Sequence, residues 1–185
     1  AARRMLESGG VRDCTIEPAQ GYLTDHYDPR TKTLRLSHDV YGGRSIAALG
    51  IACHEAGHAF QHAQGYAMLQ FRSMIVPFAN LGSWLVWPLM ILGWFLQMYG
   101  LVVLGVAAFG CLVLFQVVTL PVEFDASKRA KHELQRLGIL RNEQEMIGVA
   151  KVLDAAAMTY VAATVTAMAQ LLYFALRAGL LGRRD

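Results

Sequence analysis

An uninterrupted run of 50 residues without Asp, Glu, Lys or Arg, at positions 73–122, limits what this chain can fold into. A second such run covers 22 residues, at positions 155–176. One crossing of a bilayer takes about 20 apolar residues, so the first run is long enough for two helices and the second for one. The sequence therefore predicts a mainly helical protein that crosses a membrane several times.

The long apolar run predicts a transmembrane hairpin whose members are residues 74–96 and 101–120, joined by a tight turn near 97–100. After it, Pro121 is expected to open a polar helix that ends near Gly138, because proline is favoured in the first turn of a helix and glycine just past its end. A further helix should begin near Asn142 and continue into the last apolar run. These limits divide the chain into residues 1–71, 72–120, 121–154 and 155–185.

The net charge of +3 is too small to indicate a nucleic-acid partner, but the basic residues are unevenly distributed. Fourteen of the 17 lie in residues 1–72 and 122–154, the segments directly before and after the predicted hairpin, which share one side of the membrane. The positive-inside rule makes that side cytoplasmic and indicates a multi-pass protein of the plasma membrane. The three cysteines are odd in number and far apart, which favours free thiols in a reducing compartment.

The polar N-terminal part predicts a small β-hairpin followed by a helix. Residues 31–36 alternate with a period of two, and Asp28 with Pro29 supplies the preceding turn. This hairpin has the character of an edge strand that could pair with an extended substrate, and a purely structural role is equally compatible with it. Ser45 is a good N-cap for a helix that reaches about Ala63.

The predicted helix contains His-Glu-Ala-Gly-His at positions 54–58, an H-E-x-x-H motif. Its two histidines are one turn apart, so their imidazoles can converge on one tetrahedral zinc ion. Glu55 projects about 100° away from His54 and can reach a water molecule at the metal without displacing a ligand. The spacing therefore predicts His54 and His58 as zinc ligands and Glu55 as a general base.

A catalytic zinc ion needs a third protein ligand, for which Glu123 is the best candidate. The metzincin pattern would require Gly at 61 and His at 64, where this chain has Gln61 and Gln64. His62 lies another turn along the helix, beyond an ion held between the first two histidines, so an outer or surface role suits it better. Glu123 is the first ionisable residue after the hairpin, which must return it to the side from which the motif helix departed.

Two residues close to Glu123 in sequence are expected to have different roles. Ser127 lies four residues on and shares the face of Glu123, which suits an outer hydrogen bond to a ligand. Asp125 lies about 200° round the helix, so it cannot share the site and is expected to be a solvated or dipole-compensating charge.

These motifs carry a resemblance to a known family. Residues 50–63 read Gly-Ile-Ala-Cys-His-Glu-Ala-Gly-His-Ala-Phe-Gln-His-Ala, and residues 120–127 read Leu-Pro-Val-Glu-Phe-Asp-Ala-Ser. Together with Leu-Thr-Asp-His-Tyr-Asp-Pro-Arg-Thr at 23–31 and Thr-Tyr-Val-Ala-Ala at 159–163, they resemble the YugP-type membrane zinc metallopeptidases across nearly the whole chain. More remotely, the order of motif helix, hairpin and glutamate is similar to the membrane gluzincins, which commonly carry Asp where this chain has Ser127.

The resemblance implies a zinc-dependent endopeptidase with a protein or peptide substrate, in which Glu55 is the base for a metal-activated water. It also implies a further apolar helix upstream of Ala1. A hydrogen-bond donor for the oxyanion is required as well. The candidates for that donor are His26, Tyr27, His132 and Tyr160.

Two other functions stay open. An intramembrane metalloprotease would place the motif within a spanning helix and take Asp154 as the third ligand, although the segment around His54 is too polar and its apolar run too short to span. A membrane scaffold with a structural zinc site would need no carboxylate beside His54 and would usually be closed by four protein ligands.

Overall fold

The computed structural model describes residues 1–21 and 23–181, and the end of the predicted C-terminal tail lies outside them. The chain is mainly helical with one small sheet, as predicted. Its elements in chain order are α1 (Ala2–Ser8), β1 (Thr15–Ala19), β2 (His26–Asp28), β3 (Thr33–Ser37), α2 (His38–Tyr41), α3 (Ile46–Ala63), α4 (Ala67–Phe95), α5 (Tyr99–Arg136) and α6 (Glu143–Arg177). The chain divides into two compact units, one of residues 1–70 and 121–158, the other of residues 71–120 and 159–185.

The sheet belongs to the first unit and has the strand order β1, β3, β2. Strands β2 and β3 form the predicted antiparallel hairpin, with Tyr27 opposite Leu34. Strand β1 adds a parallel pairing to β3, with Ile16 opposite Leu34, which the sequence analysis did not predict. Because β3 is paired on both sides, the expectation that residues 31–37 form an edge strand is wrong. The edges of the sheet are β1 and β2.

The core of the first unit lies where α1, the sheet, α3 and the polar part of α5 meet. Burial of large apolar side chains is the main favourable term here. The largest fully buried side chains in this core are Met5, Leu34, Cys53, Leu134, Val149 and Leu153. All three cysteines are free, and Cys14 and Cys53 are buried. Burial raises the pKa of Cys53 to about 12, so this thiol packs as a neutral group although it is next to His54.

The second unit contains apolar lengths of α4, α5 and α6. Within the described residues, these three helices are long and apolar enough to cross a membrane. Glycines let α4 and α5 approach closely, as is common between membrane helices. A Cβ on Gly93 would lie 2.7 Å from the Val102 nitrogen, and one on Gly105 would lie 2.6 Å from Met90 Cγ. The turn between the two helices forms at Gln97, which has a positive φ of 53°.

The structure corrects the predicted start of a helix at Pro121. This residue lies inside α5, which continues from Tyr99 to Arg136 without a break. Proline removes one backbone hydrogen bond and crowds the carbonyl four residues before it, but the long helical segments on both sides carry α5 through that defect. The end of α5 is as predicted, because Gly138 follows with a φ of 58° and the Ile139 N–H binds the Leu134 carbonyl.

We predict that the two ends of α5 lie on opposite sides of the membrane. Reporters of compartment inserted at Tyr99 and after Gln135 should report different sides, because an apolar helix of this length crosses the bilayer once. A third reporter after Arg141, in the connection to α6, should agree with the reporter after Gln135. Identical signals from Tyr99 and Gln135 would contradict the hairpin.

Candidate metal centre

Helix α3 places the two motif histidines side by side. Ser45 caps its first turn, since its side-chain oxygen accepts a hydrogen bond from the Ala48 N–H at 3.0 Å. Such a cap stabilises a helix by about 1 kcal/mol. One turn apart in the middle of α3, the rings of His54 and His58 have centroids 4.8 Å apart and lie edge to face at 87°. The two imidazoles therefore lie on one face of α3, as the motif requires.

The polar part of α5 supplies the acid. A stripe of residues spaced by four is fully buried against the core, and its members are Val122, Ala126, Ala130 and Leu134. Glu123 and Ser127 follow directly after the first two members of this stripe, so they lie beside it on the helix. Both are buried, with exposed fractions of 4% each. Helix packing thus places a carboxylate and a hydroxyl inside the unit.

These side chains converge. Glu123 Oε2 lies 3.1 Å from His54 Nε2 and 3.7 Å from His58 Nε2. The three possible ligand atoms all lie within 4.8 Å of one another, and the described residues contain this one group of three or more such donors. The structure therefore brings together the three residues that the sequence predicted as metal ligands.

The donor set fits a zinc ion. Ligand bonds of about 2.0–2.1 Å in a tetrahedral site separate neighbouring ligand atoms by about 3.3 Å, close to the spacing between Glu123 and the two histidines. Both Nδ1 atoms are engaged elsewhere, which leaves both Nε2 atoms facing the carboxylate. Two imidazoles and one carboxylate form a common catalytic set, in which a fourth position remains for water or substrate.

Opposite charge dominates the electrostatics of the cluster. Burial alone would raise the pKa of Glu123, but the hydrogen bond to His54 and the attraction to His54 and His58 outweigh burial and hold that pKa well below the usual value. Burial alone would lower the pKa of His58, but its close contact with Glu123 and the charges of Glu55 and Glu123 outweigh burial and raise it. The site therefore favours an ionised carboxylate, which is the form that binds a cation.

Each histidine has a polar partner on its outer nitrogen. Ser127 Oγ lies 3.1 Å from His54 Nδ1, so the structure places the predicted hydroxyl beside one of the predicted ligands. Gln61 Oε1 lies 2.9 Å from His58 Nδ1. From the sequence, Gln61 stood out only as the wrong residue for a metzincin, and this contact was not predicted. Its spacing of three residues from His58, on the same face of α3, was the available signal.

Gly57 allows the two helices to approach. A Cβ at this position would lie 2.6 Å from the Ala126 carbonyl oxygen, which is closer than real Cβ atoms come, and 3.2 Å from the Ala126 Cα, which is an unusually tight contact. Gly57 lies between the two histidines in sequence, and Ala126 lies between Glu123 and Ser127. The absence of a side chain at Gly57 therefore sets the distance between the histidines of α3 and the carboxylate of α5.

His62 and Tyr27 contact each other. The Tyr27 hydroxyl lies 2.8 Å from His62 Nδ1, and the two rings pack with centroids 5.8 Å apart. Burial raises the pKa of Tyr27 to about 12, so its hydroxyl stays protonated. His62 is not part of the group of three donors, and an outer role for it stays a prediction. The pair links strand β2 to the C-terminal half of α3.

The remaining candidates for an oxyanion donor occupy separate places. His26 is exposed, and its Nδ1 lies 2.7 Å from the Thr24 carbonyl oxygen. His132 Nδ1 lies 3.3 Å from Glu133 Oε1 on an exposed part of α5. Tyr160 belongs to the membrane-spanning unit. Oxyanion stabilisation by any of these residues stays a prediction.

Two aspartates form contacts that the sequence did not predict. Asp125 does not point into solvent as a simple charge: its Oδ2 accepts hydrogen bonds from Gln61 Nε2 at 2.8 Å and from Arg129 Nε at 2.5 Å. The expectation failed because helix periodicity places Asp125 away from Glu123 but does not reveal what α3 presents to it. Asp154 binds Lys131 Nζ at 2.8 Å and is absent from the group of three donors, which removes the ligand required by an intramembrane site.

Comparison with known proteins agrees with this geometry. The family described as "Putative neutral zinc metallopeptidase" matches residues 1–179. The chain belongs to this family. It is also 47% identical over 173 residues to the "Putative membrane protease YugP" of Bacillus subtilis (strain 168), which covers 94% of this chain and 76% of that protein. No solved structure matches the chain.

We predict that Gly57→Ala weakens zinc binding and lowers the melting temperature. The added methyl group meets backbone atoms of α5, so the helices must separate, at a cost of about 1–3 kcal/mol. Zinc affinity measured by chelator competition and thermal unfolding of the purified protein check this outcome.

Gly50→Ala is the matched control, because a Cβ there would lie 3.6 Å from Val149 Cγ1, an ordinary contact, on the same helix. It should bind zinc like the wild type. Equal zinc affinity in Gly57→Ala and the wild type would show that the close approach does not position the ligands.

Proposed function

We propose that this chain is a membrane-embedded, zinc-dependent endopeptidase that hydrolyses peptide bonds in a protein or peptide substrate. The observation that carries the proposal is the buried convergence of His54 Nε2, His58 Nε2 and Glu123 Oε2 from two helices. Family membership supports the same chemistry. Because the group contains three protein donors within the described residues, it resembles an open catalytic site more than a structural site closed by four.

Each residue has a separate task in this proposal. His54, His58 and Glu123 would hold the zinc ion, which when bound supplies a Lewis acid for the substrate carbonyl and for a water molecule. Ser127 and Gln61 orient the two imidazoles through their outer nitrogens.

Glu55 is the proposed general base. It follows His54 on α3, is partly exposed, and its charge acts on His58. Its carboxylate would take a proton from the attacking water and deliver it to the amine that leaves when the C–N bond breaks. A structural zinc site would have no use for a carboxylate at this position.

The distribution of charge supports the proposed orientation. The sequence segments that hold the four proposed residues contain 14 of the 17 basic residues. By the positive-inside rule, we propose that the chain resides in the plasma membrane with its active site facing the cytoplasm. The substrate would then be a cytoplasmic peptide, or a cytoplasmic loop or end of a membrane protein.

We expect Glu55→Gln to retain zinc and to lose turnover by roughly 10²–10⁴-fold, since the change removes a base but no ligand. His54→Ala, His58→Ala and Glu123→Ala should lose zinc as well as activity. Metal content measured by mass spectrometry and cleavage of casein or a membrane peptide by the full chain in detergent check these outcomes.

Glu143→Gln, at an exposed glutamate in the first turn of α6, is the control and should leave both measurements unchanged. Wild-type zinc affinity in Glu123→Ala would refute the assignment of Glu123 as the third zinc ligand. Full activity in Glu55→Gln would refute the base, and a wild-type protein that binds zinc without cleaving any substrate would favour the scaffold function.

A further inference from the structure

The side-chain amide of Gln61 is held from three sides. Gln61 is fully buried, with an exposed fraction of 0%. Its oxygen lies 2.9 Å from His58 Nδ1, and its nitrogen lies 2.8 Å from the Val122 carbonyl oxygen and 2.8 Å from Asp125 Oδ2. The amide therefore bridges a proposed zinc ligand of α3 to two acceptors on α5.

The chemistry of these partners decides which way the amide points. A backbone carbonyl and an ionised carboxylate can only accept hydrogen bonds, so the NH₂ group of Gln61 must face Val122 and Asp125. Its oxygen must then face His58, and an oxygen can only accept. His58 Nδ1 therefore carries the proton, which leaves the lone pair of a neutral ring on Nε2, the atom directed at Glu123.

The hydrogen-bond partner of His54 does not select one tautomer in the same way. Its outer nitrogen contacts the Ser127 hydroxyl, which can rotate to donate or to accept. A hydroxyl partner therefore tolerates either tautomer of the neutral ring. The two histidines of the motif are supported unequally, and the tautomer of His58 alone is fixed by the fold.

We propose that Asp125 is a positioning residue for zinc binding: through Gln61 it fixes His58 in the tautomer whose Nε2 can bind the metal. The proposal rests on the zinc site described above. Without the carboxylate, Val122 alone orients the amide. If the amide group of Gln61 rotates by 180°, its NH₂ group faces His58 Nδ1 and favours the tautomer with its proton on Nε2. That tautomer cannot bind a metal through Nε2.

Asp125 is itself held in place. Its Oδ2 accepts from Arg129 Nε at 2.5 Å, and the same guanidinium donates to Gln64 Oε1 and lies 5.7 Å from the centre of the Tyr66 ring. Arg129 follows Asp125 by one turn of α5, whereas Gln64 and Tyr66 belong to the connection after α3. The carboxylate is thus fixed between two donors and cannot turn away from Gln61 at little cost.

The decisive experiment compares side chains of similar shape at position 125. Zinc affinity of the full chain in detergent is measured by chelator competition for Asp125→Leu, which cannot accept a hydrogen bond, and for Asp125→Asn, whose oxygen can. Outer partners of zinc-binding histidines typically contribute 10–100-fold in affinity, so Asp125→Leu should bind zinc about tenfold more weakly. Asp125→Asn should stay within about threefold of the wild type, because its oxygen still accepts from Gln61.

A double-mutant cycle with Gln61→Met tests whether Asp125 acts on His58 through the Gln61 amide. Met is similar in length to Gln but makes no comparable hydrogen bond, so Gln61→Met should also weaken zinc binding by about tenfold or more. If Asp125 acts only through the amide, adding Asp125→Leu to Gln61→Met should cause no further loss. A further tenfold loss would show that Asp125 acts on the metal through its charge, and would overturn the proposal.

Two controls distinguish a loss of zinc binding from a loss of folding. The melting temperature of the zinc-free proteins reports structural damage, and Asp154→Leu removes the acid that binds Lys131 without touching His58, so it should keep wild-type zinc affinity. If Asp125→Leu does not fold, Asp125→Ala replaces it with the same expectation. Wild-type zinc affinity in the folded variant that lacks the carboxylate would overturn the role of Asp125 but not the zinc site. Absence of zinc from the wild type would overturn the proposed function itself.

Discussion

The contact of one buried carboxylate with two imidazoles ties the first unit together around α3 and α5. Glu123 would be costly to bury alone, because an unpaired charge in a protein interior is strongly disfavoured. Its Oε2 is hydrogen-bonded to His54 Nε2 at 3.1 Å and lies 3.7 Å from His58 Nε2, and the two imidazoles stabilise its ionised form. The arrangement needs α3 and α5 in contact, and the packing of the core supplies that contact. The chemistry of the site and the stability of the unit thus depend on the same interface.

Sequence periodicity predicted those parts of the structure in which neighbouring residues decide the outcome. The limits of α3 followed from the cap at Ser45, and the end of α5 followed from Gly138. The turn from β2 to β3 followed from Asp28 and Pro29, which form a local signal. Glu123 was found by a different argument, since two crossings of a membrane return the chain to the side on which it started.

The parts that were missed depend on contacts between distant residues. Pairing of β1 with β3 joins Thr15 to Thr33, and strand β1 contains Pro18, so its sequence carries little strand signal of its own. Continuation of α5 through Pro121 was missed because the residue acts as a helix start only where the preceding turn is not already helical. The hydrogen bonds of Gln61 and Asp125 require the distance between two helices, which no pattern within one helix contains.

The packing at Gly57 changes what the motif itself means. Written as H-E-x-x-H, the pattern leaves two letters unspecified, yet in this chain those letters are Ala56, which is fully buried, and Gly57, which abuts the Ala126 carbonyl. Gly57 has no room for a side chain, and Ala56 has no exposed surface. Anyone who diversifies this protein family by mutagenesis, or grafts its motif helix onto another scaffold, should therefore treat the motif as five fixed letters and carry the facing turn of α5 along with it.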